Sequence, residues 1–341
     1  MKLKTIYVEK NEIENWKDYK RRPANDDDYE TLIKEPCRIM CGEELLGVYL
    51  TLPKDKENEL LRDVVKRTDY TWNRRTSGLS TTSKVFGYLP REIIRKDYCS
   101  SSQMATANPK YHAVICKFGE TLTNNYKETC PEMFDMHTKI TDEKIRPEWV
   151  IKNTPYTSGI INKDNQLNYH WDRGNFQKVY SNMLAFKHKC TGGHLALPEY
   201  NVGLEIKDLS LTFFAGQEIL HGVTPFTTEQ GGYRYTLVYY TMKQMWQCEE
   251  VTTEVERIRQ RKTVREKNRL LRQKGLLSEE DDPIGNLRQK VKDPKSYKNY
   301  NLFSELGIDR KYLGVNFTSL PDYIQKKLSD YKRKNKVVKR K

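Results

Sequence analysis

Short segments rich in β-branched and aromatic residues follow one another from about residue 110 to 243, and Gly, Pro, Asn or Asp separate them. They read YHAVICKF, SGIINKD, LNYHWD, VYSNMLAFKHK, GGHLALPEY, VGLEIKDLSLTFFAG, EILHGVTPF and YRYTLVYYTM. Each has the length and composition of a strand. Because such closely spaced strands leave little room for helices between them, the pattern predicts a mainly β fold, either a sandwich or a jelly roll.

The segments on either side of this region predict helices as well as strands. Upstream, CRIMCGEELLGVYLTLP predicts a strand pair, and ENELLRDVVKRTD spaces its apolar residues as a helix does. Downstream, residues 251–274 contain no Gly or Pro and predict a charged helix that ends at Gly275. We therefore divide the chain into a flanking segment, 1–70, a β-rich body, 71–250, and a basic helical region, 251–341.

The end of the chain predicts a small helical unit over 296–333. LPDYIQKKLSDYKRK has the apolar spacing of an amphipathic helix, and a Pro stands near its start. The expected core of this unit consists of Phe303, Leu306, Ile308, Tyr312 and Leu313.

The net charge of +14 lies almost wholly after residue 250. Residues 251–341 carry 25 Lys and Arg against 12 Asp and Glu, a net charge of +13, whereas residues 1–250 carry a net charge of +1. A basic segment attached to a nearly neutral body indicates a polyanionic partner, nucleic acid before membrane. Charged helices also bind partner proteins, and that alternative stays open.

Composition excludes several classes of protein. Hydrophobic residues make up 37% of the chain, enough for a core, so the chain is not disordered throughout. No apolar run approaches the roughly 18 residues of a membrane span, and the first 22 residues lack the apolar centre of a secretory signal. We expect a reducing, cytoplasm-like compartment, or the nucleus or a virus-infected host cell. Cys37 and Cys41 are either ordinary thiols or half of a zinc site.

The segment YHWDRGN, residues 169–175, contains the pattern His-x-Asp. On a strand, His170 and Asp172 would project to one face because side chains alternate. His221 follows at the end of a later strand, in EILHGVTPF. Two imidazoles and one carboxylate form a ligand set that binds Fe(II) and leaves coordination positions open. His-x-Asp alone is weak evidence, since an Asp also hydrogen-bonds a neighbouring His on an ordinary strand.

Arg234 follows His221 by 13 residues, in GGYRYTLVYY. On the next strand of a double-stranded β-helix it would lie across the cavity, where a guanidinium pairs with a carboxylate through two parallel hydrogen bonds. Thr236 would share its face. Fe(II) with 2-oxoglutarate requires this arrangement: protein ligands, an open position for O2, and a cation for the far carboxylate. Otherwise Arg234 is an exposed arginine among tyrosines.

These motifs resemble, in sequence order, those of the TET/JBP family of Fe(II)/2-oxoglutarate dioxygenases, which oxidise the 5-methyl group of pyrimidines in nucleic acid. The resemblance is carried by TSGIINKDNQLNYHWDRGNF, GGHLALPEYNVGLEI, LTFFAGQEILHGVTPF and GGYRYTLVYY, and upstream by RRTSGLSTTSKVFGYLPR. It covers residues 74–243 and implies a double-stranded β-helix, a jelly-roll or cupin-like fold, with flanking helices. Without large insertions between its motifs, the chain is most similar to phage and microbial members and to the thymine hydroxylases of base J synthesis.

The resemblance implies that His170, Asp172 and His221 bind iron, and that Arg234 and Thr236 bind 2-oxoglutarate. The cofactor set would be Fe(II), 2-oxoglutarate as cosubstrate, and O2.

Further residues have two interpretations each. Asn175 matches a family position that contacts the target base, but an Asn in a Gly-Asn turn is the ordinary alternative. His194 lies near a family histidine that touches 2-oxoglutarate, yet its offset from Leu-Pro differs by one residue, which on a strand reverses its face. The family uses an upstream arginine on 2-oxoglutarate, which here would be Arg75 or Arg91. Three other histidines are expected to be ordinary surface or core residues: His112, His137 and His188.

The resemblance thus implies hydroxylation of a 5-methylpyrimidine in DNA, with thymine slightly ahead of 5-methylcytosine. A methyl group inside a duplex cannot reach a buried iron, so the base would be flipped out or the DNA single-stranded. Tyr169 or Trp171 would stack on that base or belong to the core. The alternatives are an oxygenase of the same fold acting on RNA, nucleotides or protein, and a non-enzymatic nucleic-acid-binding protein, for which we expect a broken ligand triad. The oligomeric state stays open, and no membrane partner is expected.

Overall fold

The computed structural model describes residues 3–11, 19, 22–74, 80–91, 98–172, 174–274, 306–308 and 320–337. They separate into two compact units, one within Met1–Arg91 and Tyr98–Arg257 and one within Ile258–Lys341. Across the described ranges, no helix combines the length and the apolarity that a membrane crossing requires.

Two β-sheets make up most of the first unit. The strands are β1 (Lys4–Tyr7), β2 (Thr31–Ile33), β3 (Cys37–Cys41), β4 (Glu44–Thr51), β5 (Thr71–Arg74), β6 (Ser80–Leu89), β7 (Ser100–Ser101), β8 (Ser158–Lys163), β9 (Ser181–Gly192), β10 (Leu195–Leu197), β11 (Val202–Leu204), β12 (Ser210–Phe214), β13 (Gly222–Val223) and β14 (Phe226–Tyr240). The larger sheet has the order β1-β3-β4-β12-β9-β14-β8-β6-β5, with β7 paired to β6, and the smaller has the order β13-β10-β11-β2. This two-sheet jelly roll confirms the predicted fold class.

The helices are α1 (Lys56–Arg67), α2 (Gln103–Ala107), α3 (Pro109–Thr129), α4 (Pro131–Lys144), α5 (Val251–Gln273) and α6 (Asp322–Val337). The predicted strand pair near the N-terminus is the hairpin of β3 and β4, and ENELLRDVVKRTD lies in α1. Both predictions are confirmed.

Alternation along the central strands divides their side chains between two apolar layers. Met183 and Ala185 of β9 pack between the sheets, in one buried cluster with Leu195 of β10. The intervening Leu184 and Phe186 point to the other face, where α1 and α3 cover the large sheet. The space between the two sheets is therefore the interior into which strand side chains deliver functional groups.

The segment YHAVICKF, for which the sequence predicts a strand, lies in helix α3, and that prediction is wrong. Its apolar residues continue beyond the segment, and Ile115, Phe118, Leu122 and Tyr126 recur every three or four residues along the buried side of the helix. A short run of β-branched and aromatic residues fits a strand or a buried helix equally well. Only the 21-residue length of α3 distinguishes the two.

LNYHWD does not form a strand either. Its backbone pairing is a single antiparallel bridge between His170 and His221. The predicted strand is therefore wrong, although His170 and Asp172 still come to one side of the chain, as shown below.

In the C-terminal region, α5 coincides with the predicted charged helix, while its predicted end at Gly275 lies outside the described residues. In the second unit Leu306 and Ile308 pack with Ile324 and Leu328 of α6. The remaining expected core residues of this unit lie outside the described ranges: Phe303, Tyr312 and Leu313.

The first turn of α5 is fixed to the β-rich body through Glu254, which is fully buried. Its carboxylate accepts hydrogen bonds from the main-chain N–H groups of Cys99 and Glu249 and forms an ion pair with Arg91. A disulfide joins Cys99 to Cys248 directly beside this carboxylate. Arg91, one of the two candidates for the upstream arginine on 2-oxoglutarate, is thus paired with a carboxylate of this chain.

Candidate metal centre and active site

Three side chains with metal-binding atoms converge in the β-rich body. The ligand atoms of His170, Asp172 and His221 all lie within 4.8 Å of one another. Nε2 of His170 is 3.7 Å from Oδ1 of Asp172, and Nε2 of His221 is 3.9 Å from the same oxygen. Within the part of the chain that the structure describes, this is the one cluster of three or more His, Cys, Asp or Glu side chains with such spacing.

The main chain brings the three residues together without a continuous strand. His170 and His221 exchange two backbone hydrogen bonds, of 2.9 and 3.1 Å, and the N–H of Asp172 donates to the carbonyl of Gly216 at 2.8 Å. A Cβ on Gly216 would stand 2.7 Å from Oδ2 of Asp172. A residue with a Cβ here would push the carboxylate away from its place against the turn after β12.

Each histidine is held in one tautomer by a main-chain carbonyl. Nδ1 of His170 is 2.7 Å from the carbonyl oxygen of Asn168, and Nδ1 of His221 is 2.9 Å from that of Ile219. Because a carbonyl only accepts, each Nδ1 carries the proton and each Nε2 turns its lone pair toward the centre. Metal-binding histidines are commonly oriented in this way, so the donor set fits a divalent transition metal.

The centre is closed on one side and open on the other. His221 is 8% exposed and meets the ring of Phe214 edge-on, with 5.1 Å between the centroids, whereas His170 and Asp172 are 32% and 30% exposed. Burial, helped by the neighbouring His170, lowers the pKa of His221 to about 4. The imidazole is therefore neutral and able to bind a metal at physiological pH, and the exposed side leaves room for further ligands.

Arg234, on β14, is a buried cation without a carboxylate partner. Its side chain is 1% exposed, and its guanidinium forms no ion pair with any described residue. Nη2 donates to the carbonyl of Gly193 at 3.1 Å, and Nε has no hydrogen-bond partner. Burial lowers the pKa of Arg234 to about 10. An uncompensated buried charge is unfavourable, so this site is suited to an anionic ligand such as a carboxylate.

Two further nitrogen-bearing side chains lie near Arg234. Lys187 stands opposite it on β9 and donates to the carbonyls of Gly192 and Ile206, at 2.6 and 2.9 Å. His194 is half-buried, its Nδ1 has no partner, and burial together with the charges of Lys187 and Arg234 lowers its pKa. The structure thus brings the predicted His194 to the Arg234 end of the site, and adds Lys187, which the sequence analysis did not identify.

Thr236 also lies on the interior side of β14. It is 4% exposed, and its hydroxyl accepts a hydrogen bond of 3.5 Å from Nδ2 of Asn162 on the neighbouring β8. With Arg234 two residues before it on the same face, Thr236 offers a neutral donor beside the guanidinium.

Arg234, Lys187 and His194 together form a basic site. The metal centre and this basic site lie at the two ends of one short strand segment. His221 directly precedes β13, and Thr224 at the other end accepts a hydrogen bond from the N–H of His194, whose neighbour Gly193 contacts Arg234. Three strand residues correspond to about 10 Å. The triad and the Arg234 guanidinium are thus linked through one short segment of chain, which is the order of arrangement that a dicarboxylate bound to a metal at one end and a cation at the other requires.

The other residues named from the sequence have surroundings of their own. Asn175 is buried, and its Nδ2 donates to the hydroxyl of Ser181 at 3.1 Å. Tyr169 is 1% exposed in an apolar cluster, with its hydroxyl donating to Asp28, so it is a core residue rather than an accessible stacking surface. Trp171 is half-buried and hydrogen-bonds Glu199. Arg75 lies outside the described residues.

The other histidines have contacts of their own. Nε2 of His112 accepts a hydrogen bond of 3.0 Å from the N–H of Gly87. His137 is fully buried, 2.7 Å from the hydroxyl of Thr241, and the ring of exposed His188 lies against Tyr233. None of the three belongs to the metal-ligand cluster.

Comparison with known proteins supports the chemistry of the site. Residues 92–243 match the Tet_JBP family model, described as the oxygenase domain of the 2OGFeDO superfamily. The matched range contains the whole triad and the basic site. No curated protein sequence matches the chain.

Three solved structures show a distant similarity to this chain. NgTET1 in complex with 5mC DNA has 16% identity and a TM-score of 0.49, covering 64% of this chain and 81% of that one. A 2OG-Fe(II) oxygenase family oxidoreductase from Burkholderia pseudomallei has 10% identity and a TM-score of 0.35, covering 57% and 85%. OsALKBH1 has 12% identity and a TM-score of 0.35, covering 57% and 97%. Likenesses this distant leave the substrate open.

Proposed function

We propose that this chain, whose residues 92–243 match the Tet_JBP oxygenase family model, is an oxygenase of that family and hydroxylates the 5-methyl group of a pyrimidine base in DNA. Oxygenases of this superfamily use Fe(II), 2-oxoglutarate and O2. The observation that carries the proposal is the joint placement of the His170, Asp172 and His221 centre and the buried Arg234 inside that domain. A protein that only binds nucleic acid would have no need to preserve this ligand set.

Bound iron, with 2-oxoglutarate and O2, supplies the oxidising power that hydroxylates an otherwise unreactive C–H bond. The side chains of this protein position the reactants. Nε2 of His170 and of His221 and the carboxylate of Asp172 would hold the metal on one side and leave its exposed side free. Arg234 would bind the far carboxylate of 2-oxoglutarate and so direct its other end toward the triad.

The proposed substrate group is a methyl group on a base edge. Within a duplex, this methyl group lies in the major groove and cannot enter a centre that is partly enclosed by protein. The base must therefore leave the stack, or the strand must be single. The open side of the centre, where His170 and Asp172 are about one-third exposed, is where such a base would enter.

We place thymine slightly ahead of 5-methylcytosine. Both bases present the same methyl group, so the metal ligands cannot distinguish them, and discrimination must come from position 4, an acceptor in thymine and a donor in 5-methylcytosine. Asn175 carries both a donor and an acceptor and suits either base. The preference rests on the compact catalytic body, which lacks large insertions between its motifs, as in the thymine hydroxylases that it resembles.

We also assign the basic C-terminal region to DNA binding. Residues 251–341 carry a net charge of +13, and the described part of α5 exposes most of its Lys and Arg side chains. Such a surface neutralises phosphates without reading sequence. A partner protein is the alternative occupant of this surface.

The test measures succinate release from 2-oxoglutarate by the full-length protein with Fe(II), in the presence of unmodified DNA, cytosine-methylated DNA, RNA or mononucleotides. We expect release that depends on DNA, with 5-hydroxymethyluracil as the main nucleoside product. Exclusive formation of 5-hydroxymethylcytosine would overturn the preference for thymine. Robust succinate release with RNA or mononucleotides, and no hydroxymethylated base in DNA, would contradict the proposal as a whole.

A further inference from the structure

A cavity of about 830 Å³ lies beside the metal centre. Its lining is dominated by amide side chains, with two aromatic rings and two lysines, and includes Asn175, Phe176, Gln217, Lys243, Gln244 and Trp246. Its volume is in the range of small-ligand pockets, roughly 300–1,000 Å³. The cavity borders the centre through Gln217, which follows the Gly216 that packs on Asp172.

The lining has unsatisfied hydrogen-bonding capacity. Oε1 of Gln217 and Oε1 of Gln244 are buried and have no hydrogen-bond partner. Gln244 also lies against Gly174, where a Cβ would be 3.5 Å from Oε1. Because a buried polar atom without a partner is unfavourable, rotation of either side chain toward the cavity would be favoured by a ligand that carries hydrogen-bond donors on its edge.

Trp246 is the aromatic surface of this cavity. It is 62% exposed, an uncommon state for so large an apolar side chain. Lys243 stands three residues before it on the same cavity, and the ammonium of Lys144 lies 5.5 Å from the ring of Phe176. This composition suits a nucleotide. An exposed indole stacks on a base, adjacent amides hydrogen-bond the edge of that base, and nearby cations pair with the phosphate backbone.

The occupant of this cavity is not the base that is oxidised. None of His170, Asp172 and His221 lines it, so a base in the cavity would lie next to the metal and not against its open positions. Asn175, three residues after Asp172 in the chain, lines the cavity. A nucleotide directly attached to the target would reach the cavity when the target occupies the centre.

We propose that this cavity binds the nucleobase adjacent to the target on the same strand, with Trp246 as the stacking surface and the amides of Gln217 and Gln244 as readers of the base edge. The cavity thereby makes oxidation depend on sequence context on one side of the target. This inference rests on the proposed DNA substrate.

The experiment uses the full-length protein and oligonucleotides in which the nucleotide before or after the target is replaced by an abasic site. We expect kcat/KM to fall about tenfold or more for an abasic site on one side only, since stacking on an aromatic residue contributes strongly to binding a base. Trp246→Ala should lose the same factor on intact DNA and become insensitive to that abasic site. Trp246→Phe, which keeps an aromatic ring, should retain most of the effect.

Two further measurements make the test specific. Binding of the same oligonucleotides, followed by fluorescence anisotropy without added iron, should show the same one-sided loss and the same insensitivity in Trp246→Ala. Gln244→Leu should flatten the preference among the four bases at that position while sparing the response to an abasic site.

Additive effects of Trp246→Ala and the abasic site, or equal sensitivity on both sides of the target, would overturn the inference while hydroxymethylated product still formed. Absence of product from the wild-type protein on every DNA would instead contradict the proposed function.

Discussion

The position of the proton on each of the two histidines determines which ring nitrogen can bind a metal. Main-chain carbonyls at 2.7 and 2.9 Å fix the Nδ1–H of His170 and of His221, so neither ring can turn its Nε2 away without breaking a hydrogen bond. Asp172 completes the set and brings the negative charge that a divalent cation requires. The centre is therefore preorganised, and its affinity for metal depends on all three side chains.

Replacing Asp172 by Ala should abolish tight binding of Fe(II), or of Co(II) used as a spectroscopic probe, because two neutral imidazoles hold a divalent ion weakly. The fold should persist, since the carboxylate is 30% exposed. Titration of metal-free protein followed by Co(II) absorption measures the effect, and Asp208→Ala, at a carboxylate paired with Arg62, is a control. Unchanged affinity in Asp172→Ala would remove this residue from the ligand set.

Arg234→Ala should weaken binding of 2-oxoglutarate more than tenfold and leave metal binding intact. Loss of one partner of a buried, hydrogen-bonded charge pair costs about 2–5 kcal/mol. Arg234→Lys keeps the charge but not the paired donors, and should fall between the wild-type protein and Arg234→Ala. The measurement is the 2-oxoglutarate dependence of succinate release, and an unchanged dependence would transfer the anchoring role to Lys187.

For individual functional residues, the sequence predicts those that belong to a distinctive chemical pattern and misses those that do not. The residue types of the triad and of Arg234 suit Fe(II) and a dicarboxylate, their order resembles that of the TET/JBP family, and the structure brings the three triad residues together. Lys187 has no such pattern. Its one signal is that it continues the inward alternation of Met183 and Ala185, which identifies an interior cation only when the pairing with β14 is known.

Among the elements, α4 and the end of β14 meet in a contact that is sensitive to pH. His137 of α4 is fully buried, its ring lies against Tyr126 and Tyr156, and Nε2 is 2.7 Å from the hydroxyl of Thr241. Burial lowers the pKa of His137 to about 3. The folded protein therefore keeps this ring neutral at pH values where the unfolded chain protonates it.

Stability should consequently fall as the pH is lowered from about 6.5 toward 3. In that window the unfolded state binds one more proton at His137, which costs about 1.4 kcal/mol per pH unit. Between pH 7.5 and 5.0 the wild-type protein should lose about 2 kcal/mol more than His137→Gln, which does not titrate. Urea unfolding of both proteins at the two pH values measures the difference, and equal losses would show that His137 is protonated in the folded state.

A helix or strand can be predicted from the sequence when its residue pattern is long enough. β9 and β14 carry long runs of β-branched and aromatic residues, and α1 and α5 carry helical spacing, so the sequence predicts them. The first apolar residues of α3 form a short run that fits a strand or a helix, and only the 21-residue length over which the helical spacing continues distinguishes the two. LNYHWD pairs through a single bridge, which no local pattern specifies.

For the whole molecule, the division of charge is the main constraint. The segment that matches the oxygenase family model lies in a nearly neutral body, and the net charge of +13 after residue 250 is the feature on which the proposed binding of a polyanion rests. Composition alone predicts this division, whereas the pairing of Cys99 with Cys248, separated by 149 residues, has no counterpart in the sequence pattern.

Neutralising the exposed side chains Lys262, Arg265 and Lys267 of α5 by Gln should weaken duplex DNA binding and make it less sensitive to salt. Each lost phosphate contact lowers the slope of log K against log salt by about 0.9, so the slope should fall by up to about 2.7. The measurement is anisotropy of labelled duplex over a range of salt concentrations. The matched control replaces three exposed lysines of the β-rich body: Lys110, Lys127 and Lys139. Equal slopes for the variant and the control would assign α5 to another partner.

The most direct test of the central claim follows the hydrogens of the methyl group. DNA containing thymine with a trideuterated methyl group is incubated with full-length protein, Fe(II), 2-oxoglutarate and O2, then digested to nucleosides for mass spectrometry. We expect 5-hydroxymethyl product that retains two deuterium atoms, with none formed by Asp172→Ala. Oxidised thymine that keeps all three deuterium atoms, or product that forms equally with Asp172→Ala, would contradict hydroxylation of the methyl group at this centre.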